Sequence, residues 1–596
     1  MRHLLPLALI PLLLLLGQAR LAHAAPNAGG TADTVYRNGR IYTADKADHV
    51  HEAVAIRAGR IIYAGSSVKV EPLIGPTTRI VDLHGRFAMP GLIDAHMHPL
   101  EGGARLLRCN LNYERLTVPQ FQARIQACLD AEQDREPDSW MEVVSWFQQG
   151  MLPAGVAISH STIDGLRTKR PILVHDSFGH TVLANGRALA LAGITHATPD
   201  PAGGKFDRDA SGEPNGLLED AAFVPFEPLL PTPSPAQNIA AARAALAALA
   251  KQGVTSALDA DAQLATLDAF AVLDRGGEFT ARLHFAMHID TTDDANPAAA
   301  VARVVDARHR FDRAPLETTP HMTVRNAKLY LDGVISGPAF TGAMIEPYWV
   351  NTGTAAMPHW QPGTDNGPAV YHAAPVLADI LTRLARAGID PHMHADGDLA
   401  VRAGLDGIAA MRKAVPHKDI RPAIAHDESV ARADFPRYKT LATFPVLSFQ
   451  WEKPAPDTVE QLRDYFGPDR ASIVEPAGLL QAAGAPVAFG SDWPVDTLNE
   501  WFALKVAVTR TNTPESGYTG RLGIDPGLSR LQALRAATIV AARALHQDQE
   551  TGSLEPGKFA DLIVLDRDPT QIPAEDIANV RVLETVVGGR TVYSAD

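Results

Sequence analysis

Hydrophobic and polar positions alternate along the chain in two periods, which predict helices and strands in turn. Apolar residues at helical spacing fill "SPAQNIAAARAALAALAKQG", which has Ser234 as N-cap, Pro235 behind it and Gly253 at its end. The run "GVTSALDA" follows and predicts a strand. The same order returns in "VLADILTRLARAG" followed by "IDPHMH". A repeated order of helix, glycine and strand indicates parallel β/α units.

Eight candidate strands of this kind lie between residues 89 and 545: 91–98, 253–260, 283–290, 324–332, 389–394, 421–426, 445–450 and 486–492. Eight strands with intervening helices predict an α/β fold of the (β/α)₈ barrel type. The gap between the first two strands is far too long for one crossover. We therefore expect residues 100 to about 233 to form a large insertion above the barrel.

Short β-like runs at both ends of the chain predict a second, smaller domain. Residues 33 to 88 hold "TVYRNGRIYT", "AVAIRAGRIIYAG" and "TRIVDLHGRFAMP", and "ADLIVLDRDP" and "VRVLETVVGGRTVYSAD" lie near the other end. We expect one small β-sandwich-like domain built from residues 25–88 and 549–596. The barrel, residues 89–548, is then inserted between its two parts.

The first 24 residues are typical of a secretory signal peptide. Arg2 precedes the apolar run 4–16, and "AHA" offers small residues for cleavage after Ala24. The apolar run is too short for a membrane span, and no later segment is long and apolar enough for one. We expect a secreted or periplasmic protein without a membrane anchor.

Composition limits the partners. The net charge of −14 over 596 residues argues against nucleic acid, so we expect a small-molecule substrate. A homodimer is compatible with the sequence, which leaves the oligomeric state open. There are 22 histidines and only 2 cysteines, which favours imidazole and carboxylate ligands for any metal. Cys109 and Cys128 could form a disulfide in an oxidising compartment or remain two buried thiols.

The first strand ends in two histidines. In "GLIDAHMHP", strand alternation places Asp94, His96 and His98 on one face and the apolar residues between them on the other. A barrel strand turns its polar face inward, so His96 and His98 are predicted to project into the barrel mouth at the C-terminal end, where such barrels place their active sites.

Other predicted strands end in polar residues of the same kind. Alone, each has a plain structural interpretation: Asp492 could cap a helix and Lys328 could be solvated. Their joint occurrence at the ends of parallel strands instead predicts a divalent metal site, and this donor set suits Zn²⁺. The residues are Lys328 in "VRNAKLYLDG", His392 and His394 in "IDPHMH", His426 in "RPAIAH" and Asp492 in "PVAFGSD".

At these residues the chain resembles the amidohydrolase superfamily, and within it the amidohydrolase family 3 branch that includes N-substituted formamide deformylase-like proteins. The resemblance covers nearly the whole mature chain. It is carried by "GLIDAHMH", "KLYLDG", "HADGDLAV", "RPAIAH", "GSDWPV" and "GSLEPGKFADLIVLDRDP". The segments "HDSFGHTVLANGRALALAGI" and "GEPNGLLED" resemble inserted parts of this branch.

The resemblance implies a role for each matching residue. His96 and His98 would bind the more buried of one or two metal ions, His394 and His426 the second, and Lys328 would bridge them as a carbamate. Asp492 would bind metal and act as general base. His180, Glu219 and Gln450 are candidates for substrate binding; for His180 and Glu219 a structural role is the alternative.

The sequence also departs from the branch at three points. Ala425 precedes His426 where an acidic residue is frequent, and Asp396 stands in "HADGD" where an apolar residue is commoner. Trp451 and Glu452 follow Gln450 where the family usually continues with proline.

These residues predict a metal-dependent hydrolase acting on a non-peptide C–N bond, an amide of the N-acyl or N-formyl amine type. A bound divalent ion lowers the pKa of water to about 7, and Asp492 would take the proton of the attacking water. Hydrolysis of an ester, a cyclic amide or a carbamate on the same site is the alternative. A secreted binding protein that kept the fold and lost catalysis is a further alternative.

Overall fold

A barrel of eight parallel strands forms the centre of the molecule. The structure, a computed structural model, describes residues 30–595 except 154, 178, 180, 202, 203, 338 and 355, so the predicted signal peptide lies outside it. The barrel strands pair in chain order. They are β1 (Leu92–Met97), β2 (Val254–Ala262), β3 (Arg282–His288), β4 (Met322–Tyr330), β5 (Asp390–Ala395), β6 (Ala423–His426), β7 (Phe444–Leu447) and β8 (Ala488–Phe489).

Backbone hydrogen bonds between the first and last strand regions close the sheet. The N–H of Asp492 donates to the carbonyl of His96, and the N–H of His98 donates to the carbonyl of Trp493, each at 2.7 Å. The prediction of a parallel eight-stranded α/β barrel is confirmed.

Helices cover the barrel and bury one continuous apolar layer against the outward faces of its strands. The longest shows the predicted ends: Ser234 Oγ accepts the N–H of Gln237, and Gly253 ends the helix at φ 85°. The helices are Pro99–Leu106, Pro235–Gln252, Leu264–Arg275, Pro297–Phe311, Ala374–Ala387, Asp398–Ala414, Phe435–Leu441, Arg463–Ala471, Ala477–Ala482, Glu500–Thr509, Arg530–Arg535 and Ala541–Ala544. Among the described residues, no helix has both the length and the apolar character to cross a membrane.

The segment between β1 and β2 carries a sheet of its own. Its core includes Phe121 and Trp146, and a disulfide joins Cys109 to Cys128 over a Cα–Cα distance of 5.7 Å. The helices of this segment are Val118–Ala131, His160–Asp164 and Gly186–Ala192. Its six strands pair in the order Gly204–Arg208, Pro214–Asp220, Thr181–Ala184, Ile172–Asp176, Met141–Trp146, Cys109–Asn110.

Two further sheets lie outside the barrel. In the six-stranded one, Phe87–Pro90 pairs antiparallel with Leu562–Leu565, so strands from both regions of the chain share one sheet. Its order is Arg590–Ser594, Val582–Val587, Leu562–Leu565, Phe87–Pro90, Arg40–Tyr42, Val50–His51. The four-stranded sheet has the order Arg60–Gly65, Ala53–Arg57, Thr34–Arg37, Arg79–Asp82. Trp349–Asn351 and Trp360–Pro362 form a separate hairpin.

Candidate active site

Imidazoles and one carboxylate from β1, β5 and the end of β8 meet inside the barrel mouth. His98 Nε2 lies 3.0 Å and His96 Nε2 3.3 Å from Asp492 Oδ1. The other ring nitrogen of His96, Nδ1, is 2.7 Å from Nε2 of His392. The structure thus brings together His96, His98 and Asp492 and adds His392 behind them.

Strands β4, β5 and β6 bring three more side chains to the same place. The ring centroids of His394 and His426 lie 4.5 Å apart, and those of His96 and His426 lie 4.7 Å apart. Lys328 Nζ is 3.5 Å from His96 Nε2 and is fully buried. All six residues assigned to metal by the resemblance therefore lie in one cluster.

The backbone turns sharply where two of these residues stand. His426 and Asp492 have φ angles of 80° and 54°, a left-handed conformation that is costly for side chains with a Cβ and that recurs at functional sites. Just before Asp492, Gly490 lets the backbone after β8 come close to β1, since a Cβ at this position would lie 2.5 Å from the Cβ of His96. The predicted strand 486–492 is consequently too long: β8 ends at Phe489, and the turn carries Asp492 to the cluster.

Asp94 does not share the face of His96, contrary to the alternation argument. Its carboxylate accepts the N–H groups of His96 and Ser491, and it lies beside Glu500 of the outer helix Glu500–Thr509. The pairing of β1 with β2 shifts register at two points, so a simple period of two does not hold along β1.

The cluster suits a divalent metal. Ligand atoms of His96, His426 and Asp492 all lie within 4.8 Å of one another. Burial lowers the pKa of His96 and of His426 well below the usual value, which keeps both imidazoles neutral as metal binding requires. Burial alone would raise the pKa of Asp492, but its hydrogen bond with His98 and the nearby positive charges lower it overall. Burial lowers the pKa of Lys328 to about 8.

A second ligand group adjoins the first and adds Asp396, which was not predicted to bind metal, to the predicted pair His394 and His426. The ligand atoms of these three residues also lie within 4.8 Å of one another. Asp396 is 2% exposed, and burial together with the carboxylates of Glu428 and Asp332 holds its pKa well above the usual value. The only sequence signal for Asp396 was its departure from the family pattern in "HADGD".

A cavity lies above the cluster, between the insertion and the loops after β7 and β8. Its larger chamber measures about 600 Å³ and is lined by the aromatic rings of Tyr113, Phe147, Trp451, Phe502 and Tyr518, among other residues. A smaller chamber of about 110 Å³ is lined in part by Trp451 and Glu428. The Trp451 ring stacks on the His426 ring at 5.6 Å and so connects both chambers with the cluster.

Two of the three candidates for substrate binding belong to the described residues. His180 is outside the described residues. Glu219 belongs to the insertion sheet, where it accepts a hydrogen bond from Thr181, and Thr181 lines the smaller chamber. Gln450 is buried and donates from Nε2 to the carbonyl of Ser491, next to Asp492. Gln450 thus supports the turn at the end of β8, while neither it nor Glu219 is among the residues that line the two chambers.

The barrel and the two ligand groups at the C-terminal ends of its strands are those of a metal-dependent hydrolase barrel. A family model described as amidohydrolase family matches residues 79–593, so the chain belongs to that family, and the predicted family 3 branch is confirmed.

Three similar proteins illustrate the relationship. "Protein LONG AFTER FAR-RED 3" of Arabidopsis thaliana is 30% identical over 99% of this chain and 96% of its own. N-substituted formamide deformylase of Arthrobacter pascens is 24% identical over 94% of this chain and 98% of its own. The crystal structure of an uncharacterized metal-dependent hydrolase from Pyrococcus furiosus superposes with a TM-score of 0.67 at 21% identity, covering 90% of this chain and 100% of that one. This last likeness concerns the fold.

Proposed function

We propose that the protein hydrolyses a non-peptide C–N bond, an amide of the N-acyl or N-formyl amine type, with the help of a divalent metal such as Zn²⁺. The observation that carries the proposal is the convergence of His96, His426 and Asp492, next to a cavity whose Trp451 ring stacks on the ring of His426. An ion held there would supply hydroxide from water near neutral pH and polarise the scissile carbonyl.

The protein's own residues supply binding and proton transfer. His96 and His98 hold one side of Asp492, and the contact with His98 fixes the direction of its carboxylate. As general base, Asp492 takes the proton of the attacking water and returns it to the leaving amine. The low pKa of Asp492 keeps the group ionised and therefore able to accept a proton at neutral pH.

The cavity favours a substrate with an apolar or aromatic substituent next to the amide. Its larger chamber has room for such a group, and its aromatic lining gives apolar contact area. The related enzyme from Arthrobacter pascens carries the name of a deformylase of N-substituted formamides, which is the same substrate class.

Lys328 is proposed to carry a carbamate, which would hold metal together with the histidines and supply negative charge. Lys328 is fully buried, and its Nζ lies 3.5 Å from His96 Nε2. Short carboxylic acids should then partly restore the activity of Lys328→Ala. Absence of rescue would favour a site that does not use the carbamate.

Hydrolysis of esters, cyclic amides or carbamates is the second candidate function, because the same site would attack any of these carbonyls. The test is a panel of N-formyl and N-acyl benzylamines against the matched ester, lactam and carbamate, with product release measured for wild type and Asp492→Asn. Fastest turnover of the amides by wild type supports the proposal. A preference for another class would replace it, and metal binding without hydrolysis of any member would indicate a binding protein.

We also propose that the protein is exported. The sequence of residues 1–24 supports secretion to an oxidising compartment, and the Cys109–Cys128 disulfide is compatible with it. We expect a small-molecule substrate and no nucleic-acid partner. Protein recovered from the native host should begin at or near Ala25; an intact Met1 would contradict export.

A further inference from the structure

Asp396 is a buried carboxylate that the proposed reaction leaves without a role. It follows β5 directly, and its backbone N–H donates to Asp332 Oδ1 at 3.0 Å, which fixes its position. The side chain is 2% exposed, and its Oδ1 has no hydrogen-bond partner among the described residues. A buried carboxylate without a partner costs several kcal/mol, so a cation or a proton must neutralise it.

The surroundings of Asp396 offer metal ligands. Its Oδ1 lies 3.7 Å from His394 Nε2, and the ligand atoms of His394, Asp396 and His426 lie close enough to surround one ion. His394 Nε2 lies 2.9 Å from the carbonyl oxygen of Gly333 and donates its N–H there, so Nδ1 is the ring nitrogen left to bind metal. A ligand histidine usually donates its other ring N–H in this way, which fixes the ring orientation.

His426 belongs to both ligand groups, so its assignment decides how many ions can bind. His96 and His98 both contact Asp492 Oδ1, at 3.3 and 3.0 Å, so a first ion would have two imidazoles beside Asp492 in addition to His426. His426 is then available for the second site, where its ring lies 4.5 Å from the ring of His394.

We propose that Asp396 is a direct carboxylate ligand of a second divalent cation, which it binds together with His394 and His426. The inference rests on the proposed metal dependence and adds to it a ligand from this chain. Asp396 supplies negative charge to the second site whether or not Lys328 carries a carbamate. The site takes a cation that accepts mixed nitrogen and oxygen ligands, such as Zn²⁺ or Mn²⁺.

The test counts metal and does not depend on turnover. Wild type, Asp396→Asn and Asp396→Ala are saturated with Zn²⁺, freed of unbound metal and measured by inductively coupled plasma mass spectrometry. The matched control is Glu428→Gln, which removes a nearby cavity carboxylate outside the ligand group. Circular dichroism selects the variants that fold; Asp396→Asn keeps the shape of the side chain and is the variant expected to fold.

We expect two ions per chain in wild type and in Glu428→Gln, and one in folded Asp396→Asn. In a Zn²⁺ titration of metal-free Asp396→Asn, the affinity of the weaker site should fall by at least ~10–100-fold. Mutation of a residue that only supports a metal ligand already causes a loss of that size. Two ions retained by Asp396→Asn, or one ion in wild type, would overturn the assignment of Asp396. One ion together with amide hydrolysis would leave the proposed function standing, whereas no bound ion would contradict both.

Discussion

The two ends of the barrel interior are built on different principles. At the C-terminal ends of the strands, imidazoles and the Asp492 carboxylate converge below a cavity. At the N-terminal ends, Thr323 Oγ1 lies 2.7 Å from His284 Nδ1, and Gln547 contacts the same ring at 3.4 Å. Arg282 pairs there with Asp561 at 2.8 Å, and both side chains are almost fully buried.

This difference separates activity from stability. At the N-terminal end, Arg282 pairs with Asp561 and His284 contacts Gln547, and both partners lie in the segment that follows the last barrel helix. These contacts hold the barrel to that segment. At the C-terminal end the backbone of His426 and Asp492 is left-handed, and the Asp396 carboxylate has an oxygen without a partner. Groups in such a conformation or environment destabilise the fold, which indicates that they serve cation binding and catalysis.

The largest expected effect is on activity, from Asp492→Asn. Asn keeps the shape of the side chain but cannot accept a proton, so kcat/KM for an N-formyl amine should fall by about 10²- to 10⁴-fold. Because Asn fills the same buried space, the thermal midpoint should stay near that of wild type. Activity within a few-fold of wild type would show that another group, such as His392 or Asp396, receives the proton.

The next effect is on stability, from Arg282→Leu at the opposite end. This change leaves Asp561 buried without its partner and should lower the free energy of unfolding by about 3–5 kcal/mol, measured by urea denaturation. Folded protein should keep its turnover number. Arg303→Leu, which breaks an exposed pair with Asp293, is the control and should cost no more than about 1 kcal/mol. Equal losses in both variants would remove the distinction between the buried and the exposed pair.

A smaller effect concerns the stability of the protein at acidic pH. Burial lowers the pKa of His284 to about 3, below its unfolded value of 6.5, so the unfolded chain takes up the proton first. Stability from this group is present above pH 6.5 and is lost as the pH falls toward 3, by about 2 kcal/mol at pH 5. His284→Gln should therefore lose less stability than wild type between pH 7 and pH 5. An unchanged acid response would mean that His284 is not the group responsible.

The sequence predicted the parts of the site that follow from strand position. All eight barrel strands were found because their apolar runs and flanking glycines are local signals, and their ends located His96, His98, Lys328, His394, His426 and Asp492. The orientation of Asp94 was wrong because a register shift in β1 is set by pairing with β2 across the insertion. Asp396 was not assigned to metal because its proximity to His426 depends on the packing of β5 against β6, which no local pattern encodes.

Removal of the metal is the decisive experiment for the proposed metal-dependent hydrolysis. The protein is stripped with a chelator, and its metal content and its rate of N-formyl amine hydrolysis are measured before and after addition of Zn²⁺ or Mn²⁺, with His96→Ala alongside. The rate should fall with the metal content and return when the ion is restored. His96→Ala should keep a low rate and a reduced metal content. Full activity in metal-free protein would contradict the proposed metal dependence.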